Sequence, residues 1–235
     1  MDSRVYTSPL FWSVLIGWIL SVVLHEFAHG IVAYWGGDYT IKERGGLTLN
    51  PLQYIHPVYS ILLPVIFLMM GGVPLPGGAT FIRRDLLRSH WWDAACSLAG
   101  PAMNFLLFLA CALPMHPRWG WIHPMPGDPI EGAPAVLATM AMLQLLSVFL
   151  NLLPIPPLDG FQTIAAFMDE RTRATFFSQQ VITMSTIVLF FVLCRTPFLI
   201  QKIHLMSHNV MVGLGFDSLT LHYFGRAFNS TLFGS

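Results

Sequence analysis

The stretch "SVVLHEFAHGIVAYWG", residues 21–36, places three ionisable side chains inside an otherwise apolar run. They are His25, Glu26 and His29. The whole run, residues 10–35, is long enough to cross a bilayer, which takes roughly 20 mostly apolar residues. Ionisable groups are costly at membrane depth, so they are rare there and usually mark a functional site. The stretch therefore predicts a membrane helix that carries such a site.

The composition of the whole chain also predicts an integral membrane protein. Hydrophobic residues make up 54% and charged residues 10%, whereas a soluble domain carries about 25% charged residues. The 12 lysines and arginines balance the 12 acidic residues, so no basic excess predicts a nucleic-acid partner. Three cysteines, Cys96, Cys111 and Cys194, are too few and too scattered for a disulfide framework or a thiolate zinc site.

Further apolar segments have the length of membrane spans. The strong ones are residues 91–113, 135–154 and 175–194. A weaker segment, 197–224, contains several polar residues, and it could either span with a polar face or lie partly in the membrane interface. No cleavable signal peptide is expected, because no small-x-small cleavage site follows the first run.

Residues 45–73 have a different pattern. The part from 60 to 73 is apolar but only about 14 residues long, which is marginal for a crossing. It is preceded by "GGLTLNPLQYIHPVYS", residues 45–60, with alternating leucines between glycines and prolines. We expect a re-entrant or hairpin element here, followed by a short helix. Such backbone is tolerated at membrane depth only where protein or a wet cavity satisfies its polar groups.

These segments define the predicted fold class: an all-α integral membrane protein with a three-helix core. One or two C-terminal helices follow, and the re-entrant or hairpin element lies between core helices 1 and 2. We expect a single polytopic membrane domain over residues 1–235, with the core at 10–165 and the C-terminal helices at 166–235.

Clusters of basic residues predict the orientation. Lys42 and Arg44 follow the first helix, three arginines at 83, 84 and 88 precede the second, and Arg171 and Arg173 follow the third. If all three clusters are cytoplasmic, they obey the positive-inside tendency. This topology requires the region 47–73 to return to the side on which it starts.

The sequence His25-Glu26-Phe27-Ala28-His29 matches the pattern H-E-x-x-H. Residues four apart on a helix differ in direction by roughly 40°, so both imidazoles can share one metal ion. Glu26 lies beside them, where it can contact a metal-bound water. A catalytic zinc ion takes three protein ligands and keeps one position for water. One protein ligand is therefore missing from this helix.

Asp159, in "FLNLLPIPPLDGFQ" at 149–162, is the best candidate for the missing ligand. A buried aspartate costs about 2.5–3.5 kcal/mol near the centre of a membrane helix, and a metal partner explains its presence. In the predicted topology the first and third core helices are parallel, so Asp159 and the two histidines lie at the same depth. The alternative is a carboxylate at a helix end that accepts hydrogen bonds from backbone amides.

Three motifs in order resemble the site-2 protease family of intramembrane zinc metalloproteases. They are "HEFAH" at 25–29, "AGPAMN" at 99–104, and "NLLPIPPLDG" at 151–160, which fits the signature N-x-x-P-x-x-x-L-D-G. The resemblance covers roughly residues 10–165 and is closest to short bacterial members without an inserted PDZ or CBS-like domain. It implies one Zn²⁺ ion held by His25, His29 and Asp159, with Glu26 as the catalytic base.

The same resemblance implies that two asparagines contact the substrate. Asn151 would hold the substrate backbone near the metal. Gly100 and Asn104 form the family's G-x-x-x-N element, in which the glycine allows close helix approach and the asparagine supplies a hydrogen-bonding group. The alternative for Asn104 is plain helix packing with one polar bond between helices.

The expected activity is hydrolysis of peptide bonds within or near transmembrane segments of membrane proteins, in the lipid bilayer, with the active site toward the cytoplasmic side. The re-entrant element could pair with an extended substrate by strand addition. One alternative is a catalytically silent, zinc-binding membrane scaffold of the same fold. A less favoured one is a metal transporter, which would need further ligands along its path. The oligomeric state is left open.

Overall fold

The computed structural model of the chain describes residues 8–54, 81–125, 127–195 and 197–233. These residues form helices, turns and irregular segments, and they contain no β-strand. The helices are α1 (Pro9–Gly36), α2 (Thr40–Glu43), α3 (His90–Ala112), α4 (Gly132–Asn151), α5 (Asp159–Ala165), α6 (Glu170–Phe176), α7 (Gln179–Arg195), α8 (Pro197–Gly213) and α9 (Ser218–Phe233). Short 3₁₀ helices lie at Pro51–Gln53, Arg84–Leu86 and Leu113–Met115.

Among the described residues, three helices are long and apolar enough to cross a membrane. They are α1, with 28 residues, α3 together with its 3₁₀ extension to Met115, with 26, and α4, with 20. Protein encloses α4 most fully: 67% of its apolar window is buried, against 33% for α1 and 39% for α3. The predicted class, an all-α integral membrane protein with a three-helix core, is confirmed.

The C-terminal region contains shorter helices. The segment predicted at 175–194 corresponds to α7, a 17-residue helix that follows a separate short helix, α6. The segment predicted at 197–224 is divided into α8 and α9. The chain turns between them because Gly215 adopts a positive φ of 91°. Asp217 then accepts a hydrogen bond from the Thr220 N–H at 2.8 Å and caps the start of α9.

Most of the predicted re-entrant or hairpin element, including His56, lies outside the described residues. Its described part, residues 45–54, is a turn followed by a 3₁₀ helix. The Tyr54 hydroxyl donates to the Thr48 carbonyl at 2.6 Å and closes this segment. The segment lies tightly against α1, since a Cβ added at Gly30 would come within 2.1 Å of the Gly46 carbonyl oxygen. It therefore contacts α1 one residue away from His29.

The chain divides into two compact units, and α1, α3 and α4 each contribute residues to both. The first unit comprises residues 1–21, 104–147 and 201–235. In it, α1 packs on α4 at Gly17 and Met140, and α4 bonds to α9 through the hydroxyls of Thr139 and Thr231, 3.1 Å apart.

The second unit comprises residues 22–103 and 148–200 and contains the predicted metal ligands. Just after α1, the carboxylate of Asp38 is fully buried. It accepts hydrogen bonds from Thr40 Oγ1 at 2.5 Å, from the Arg83 backbone N–H at 2.8 Å and from Arg44 Nη2 at 2.8 Å. Burial alone would raise the pKa of Asp38, but these donors outweigh it and hold the pKa below its usual value.

Residues 81–88, which we name the strap, connect the end of α1 to the start of α3. Arg44 Nη1 donates to the Phe81 carbonyl at 2.7 Å, and the Arg88 N–H donates to the Gly36 carbonyl at 2.9 Å. Together with the bond from Arg83 to Asp38, these contacts bind one end of the strap to residues 38–44 and the other to the last residue of α1.

Candidate metal centre

Two imidazoles from α1 face each other inside the second unit. His25 and His29 lie one helical turn apart, and their Nε2 atoms are separated by 3.1 Å. The two rings are nearly perpendicular, with an interplanar angle of 80° and centroids 4.7 Å apart. The helical spacing that the H-E-x-x-H pattern implies is therefore realised on α1.

Asp159, the first residue of α5, completes a three-residue cluster. Its Oδ2 atom lies 3.3 Å from His25 Nε2, and its Oδ1 atom lies 3.5 Å from His29 Nε2. The three side chains are only 8–12% exposed. In the part of the chain that the structure describes, this is the one group of three or more histidine, cysteine or acidic residues close enough to hold a metal ion.

The dimensions of the cluster fit zinc. His25 Nε2 lies 3.1 Å from His29 Nε2 and 3.3 Å from Asp159 Oδ2, and His29 Nε2 lies 3.5 Å from the other carboxylate oxygen, Oδ1. With one ligand atom from each residue, the three atoms lie within 4.8 Å of one another. A tetrahedral zinc ion with ligands at about 2.0–2.1 Å has ligand–ligand edges of about 3.3–3.4 Å. Two nitrogens and one carboxylate oxygen also form a donor set that zinc accepts in catalytic sites.

A backbone carbonyl on α3 sets the proton position of His29. Its Nδ1 atom lies 2.7 Å from the Cys96 carbonyl oxygen, to which it donates. In the neutral imidazole, Nε2 is then unprotonated and directs its lone pair toward His25 and Asp159. The Cys96 thiol in turn contacts the His29 carbonyl oxygen at 3.4 Å. A hydrogen bond from the ring nitrogen that does not face the metal, like that of Nδ1 here, is typical of histidines that ligate metals. It fixes the ring orientation and the tautomer.

Gly100 on α3 leaves the space beside the two imidazoles free. A Cβ added there would lie 2.3 Å from His29 Nε2 and 2.4 Å from His25 Nε2. Any other residue would therefore place a carbon against both Nε2 atoms. The missing side chain creates a cradle at the position where a shared metal ion would be bound.

A second close approach brings Asp159 into place. A Cβ added at Gly160 would lie 2.2 Å from the Leu152 carbonyl oxygen and 2.8 Å from that of Leu153. The backbone at the start of α5 thus packs directly on the end of α4, where only glycine fits. Because α4 ends at Asn151, ahead of the prolines at 154, 156 and 157, the chain can fold back at this point.

The other predicted site residues occupy buried or half-buried positions on the same helices. Glu26 follows His25 on α1 and is 7% exposed. Asn104 lies on α3 one turn after Gly100 and is 5% exposed, and Asn151 is the half-buried last residue of α4. Their roles as base and substrate contacts remain predictions.

Sequence reasoning missed two contributors to this centre. The Cys96 carbonyl has no signal in the sequence, since every residue carries a carbonyl and only the fold selects the one that meets His29. Gly100 was predicted to permit close helix approach. The structure shows that what approaches it most closely is the pair of imidazoles.

Comparison with known proteins gives consistent matches. A family model described as "Peptidase family M50" matches residues 127–194. The chain is 38% identical over 168 residues to "Putative zinc metalloprotease Rip2" of Mycolicibacterium smegmatis. The aligned region covers 70% of this chain and 60% of that protein. The chain is also 38% identical over 189 residues to the protein of the same name in Mycobacterium tuberculosis, covering 77% of this chain and 67% of that one.

A third relative is "Putative zinc metalloprotease YwhC" of Bacillus subtilis, with 31% identity over 169 residues, 72% of this chain and 75% of the relative. No solved structure gives a significant match. The matched region spans between three fifths and three quarters of these relatives. With the matching family model and the resemblance of its three motifs, these identities show that the chain belongs to peptidase family M50.

Proposed function

We propose that this protein is an intramembrane zinc metalloprotease that hydrolyses peptide bonds within or near transmembrane segments of membrane proteins. The observation that carries the proposal is the convergence of His25 Nε2, His29 Nε2 and the Asp159 carboxylate beside the cradle at Gly100. Membership of family M50 supports the same proposal, as do the three helices of membrane-spanning length in the described part of the chain.

In this proposal, His25, His29 and Asp159 hold the zinc ion. A bound zinc ion polarises a substrate carbonyl and lowers the pKa of its water to about 7. The residues around it keep the three donors aligned, because His29 is fixed by the Cys96 carbonyl and Asp159 by the packing of α5 on the end of α4.

Glu26 moves the proton in the proposed reaction. Its carboxylate accepts a proton from the attacking water and later delivers that proton to the nitrogen of the leaving amine. Its place beside His25 on α1 puts it on the helix that carries two of the three ligands. Its burial keeps bulk water from competing for the same oxygen atoms.

Asn104 and Asn151 are the proposed contacts to the substrate. A primary amide both donates and accepts, so it can pair with a backbone carbonyl or N–H group. A donor near the scissile carbonyl would also stabilise the charge that develops on its oxygen. The substrate must present an extended backbone, because an intact helix keeps its carbonyls in its own hydrogen bonds.

The active site is proposed to face the cytoplasm. The second unit, which contains the cluster, also contains the basic residues between α1 and α3 and those of α6. Short loops rich in lysine and arginine stay on the cytoplasmic side of a membrane.

The deciding experiment replaces Glu26 with glutamine in the full chain, reconstituted with a peptide substrate that contains a helix-weakened transmembrane segment. We expect zinc content to stay at one per chain while the cleavage rate falls by about 10²–10⁴-fold, the usual contribution of a general base. Glu43→Gln, which changes an exposed glutamate on α2, is the matched control and should keep the wild-type rate.

Undiminished cleavage by Glu26→Gln would contradict the proposed mechanism. If the wild type binds zinc but cleaves no substrate, the alternative of a catalytically silent scaffold of the same fold is correct instead.

A further inference from the structure

The guanidinium of Arg84, in the strap, connects two helices of the second unit. Its Nη1 atom bonds to Asp93 Oδ1 and donates to Ser97 Oγ at 3.1 Å, and both residues lie on α3. Its Nη2 atom bonds to Gln162 Oε1 on α5. The helix that carries Cys96 and Gly100 is thereby joined to the helix that begins with Asp159.

Gln162 connects Arg84 to the backbone on both sides of Asp159. It lies three residues after Asp159 on α5, and its Nε2 atom donates to the Pro157 carbonyl at 2.8 Å. One amide group thus binds Arg84 with its oxygen and the backbone two residues before Asp159 with its nitrogen. The position of Arg84 therefore restrains the chain on both sides of the proposed metal ligand.

The charges explain why Arg84 stays in this position. Asp93 is only 5% exposed at its side chain, and its second carboxylate oxygen pairs with Arg173 Nη2 at 2.9 Å. Removing one partner from a buried ion pair is strongly unfavourable, because the remaining charge is left without compensation. Asp93 therefore holds the guanidinium of Arg84 where it meets Gln162.

The position of α5, the helix that contains Gln162, depends on its contacts with the rest of the chain. α5 has only seven residues, and isolated helices of that length are unstable in water. The contact of Gly160 with the chain just after α4 holds its first residues, and the bond from Gln162 to Arg84 holds its middle. Only the second of these contacts reaches α3, which carries the cradle and the acceptor for His29.

We propose that Arg84 is a positioning residue for Asp159: through Gln162 it sets the place of the Asp159 carboxylate relative to the two histidines. This inference rests on the proposed function, in which Asp159 is a zinc ligand. Arg84 does not touch the cluster itself in the contacts described here, so its effect passes through Gln162 and α5.

The test measures zinc affinity of the full chain by chelator competition. Four variants are compared with wild type: Gln162→Ala, Arg84→Lys, Arg84→Ala, and the double variant with alanine at both positions. Residues that orient metal ligands typically change metal affinity by about 10–100-fold, and we expect Gln162→Ala and Arg84→Ala to weaken zinc binding in that range. The double variant should bind no more weakly than Arg84→Ala. The visible spectrum of the Co²⁺-loaded protein should change in the same variants.

Arg83→Ala is the matched control, because the Arg83 side chain is exposed and pairs only with exposed Asp85 among the contacts described. Zinc affinity within twofold of wild type in Gln162→Ala and Arg84→Ala would overturn the proposal, whether or not the melting temperature falls. Arg84→Lys, which keeps the charge, should weaken zinc binding less than Arg84→Ala. If Arg84→Ala does not fold, Gln162→Ala decides, since it leaves the pair of Arg84 and Asp93 intact.

Two further samples separate this proposal from the proposed function. If wild type binds no zinc, or if Asp159→Ala keeps wild-type affinity, the metal site itself is wrong. If wild type binds zinc through Asp159 and the Gln162 and Arg84 variants bind equally well, only the positioning role fails.

Discussion

Gly100 shows how a single missing side chain shapes the candidate site. The two Nε2 atoms of His25 and His29 lie within 2.4 Å of where its Cβ would be. Those atoms cannot retreat easily, because His29 is bonded to the Cys96 carbonyl and both rings are buried. The glycine is therefore needed for the site and not only for close packing of α3 on α1.

Replacing Gly100 with alanine should weaken zinc binding by about tenfold or more, because the added methyl group occupies the cradle and displaces the imidazoles. The measurement is zinc content and affinity in purified protein. Gly225→Ala is the matched control, since a Cβ added at that position on α9 meets nothing within 4 Å.

Unchanged zinc affinity in Gly100→Ala would mean that the metal does not lie between the two histidines and this face of α3. A loss of affinity in Gly225→Ala of the same size would show that the assay reports general destabilisation instead.

The junction of α1, α2 and the strap depends on one buried carboxylate. Asp38 accepts three hydrogen bonds from residues on both sides of the junction, and its side chain has no exposure. Its pKa is held below the usual value by these donors. The ionised form of Asp38 therefore stabilises the folded state.

The sign of the pH dependence follows from that direction. A carboxyl group with a lowered pKa stabilises the folded state fully above the unfolded pKa of about 3.9, and this stabilisation is lost as the pH falls through the folded value. At pH 7 we expect Asp38→Asn to be less stable than wild type by about 1–3 kcal/mol, the cost of leaving buried partners unpaired. The difference should shrink below about pH 4.

The measurement is the melting temperature of zinc-free protein in detergent between pH 3 and pH 7, where 1 kcal/mol corresponds to roughly 2–4 °C. Glu43→Gln, an exposed carboxylate five residues further along the chain, should follow the wild-type curve. A constant gap between wild type and Asp38→Asn over the whole range would contradict an ionised Asp38.

At the scale of the whole molecule, the proposed orientation places α2 in the cytoplasm and the segment before α4 outside. Glu43 and Glu131 are both exposed glutamates, on α2 and just before Gly132 respectively. A membrane-impermeant maleimide should label Glu131→Cys in intact cells and label Glu43→Cys only in inverted vesicles. The native cysteines give a background that is measured on the wild-type chain; of these, Cys96 is buried and Cys111 is partly buried.

The reverse labelling pattern would place the metal centre on the outer side. Labelling of both positions from one side would contradict the proposed topology, in which α3 crosses the membrane between them and the region 47–73 returns to the side on which it starts.

Much of the fold was predictable because membrane helices are governed by local properties. The bounds of α1 and α3 agree with the predicted segments to within one or two residues. α4 ends three residues before the predicted limit because its chain turns ahead of Pro154. The sequence left open how many helices follow residue 195, since neither Gly215 nor Asp217 interrupts the apolar pattern strongly enough to predict the turn between α8 and α9.

The sequence by itself determined the candidate chemistry: the helix that carries His25, Glu26 and His29, the prediction that a further ligand is needed, and Asp159 as its candidate. These follow from helical spacing and from the cost of polar groups in a membrane. Only the tertiary structure decided which groups surround these candidate ligands. The Cys96 carbonyl, the cradle at Gly100 and the bond of Arg84 to Gln162 all join residues far apart in the chain. Long-range contacts of this kind leave no periodic signal in the sequence.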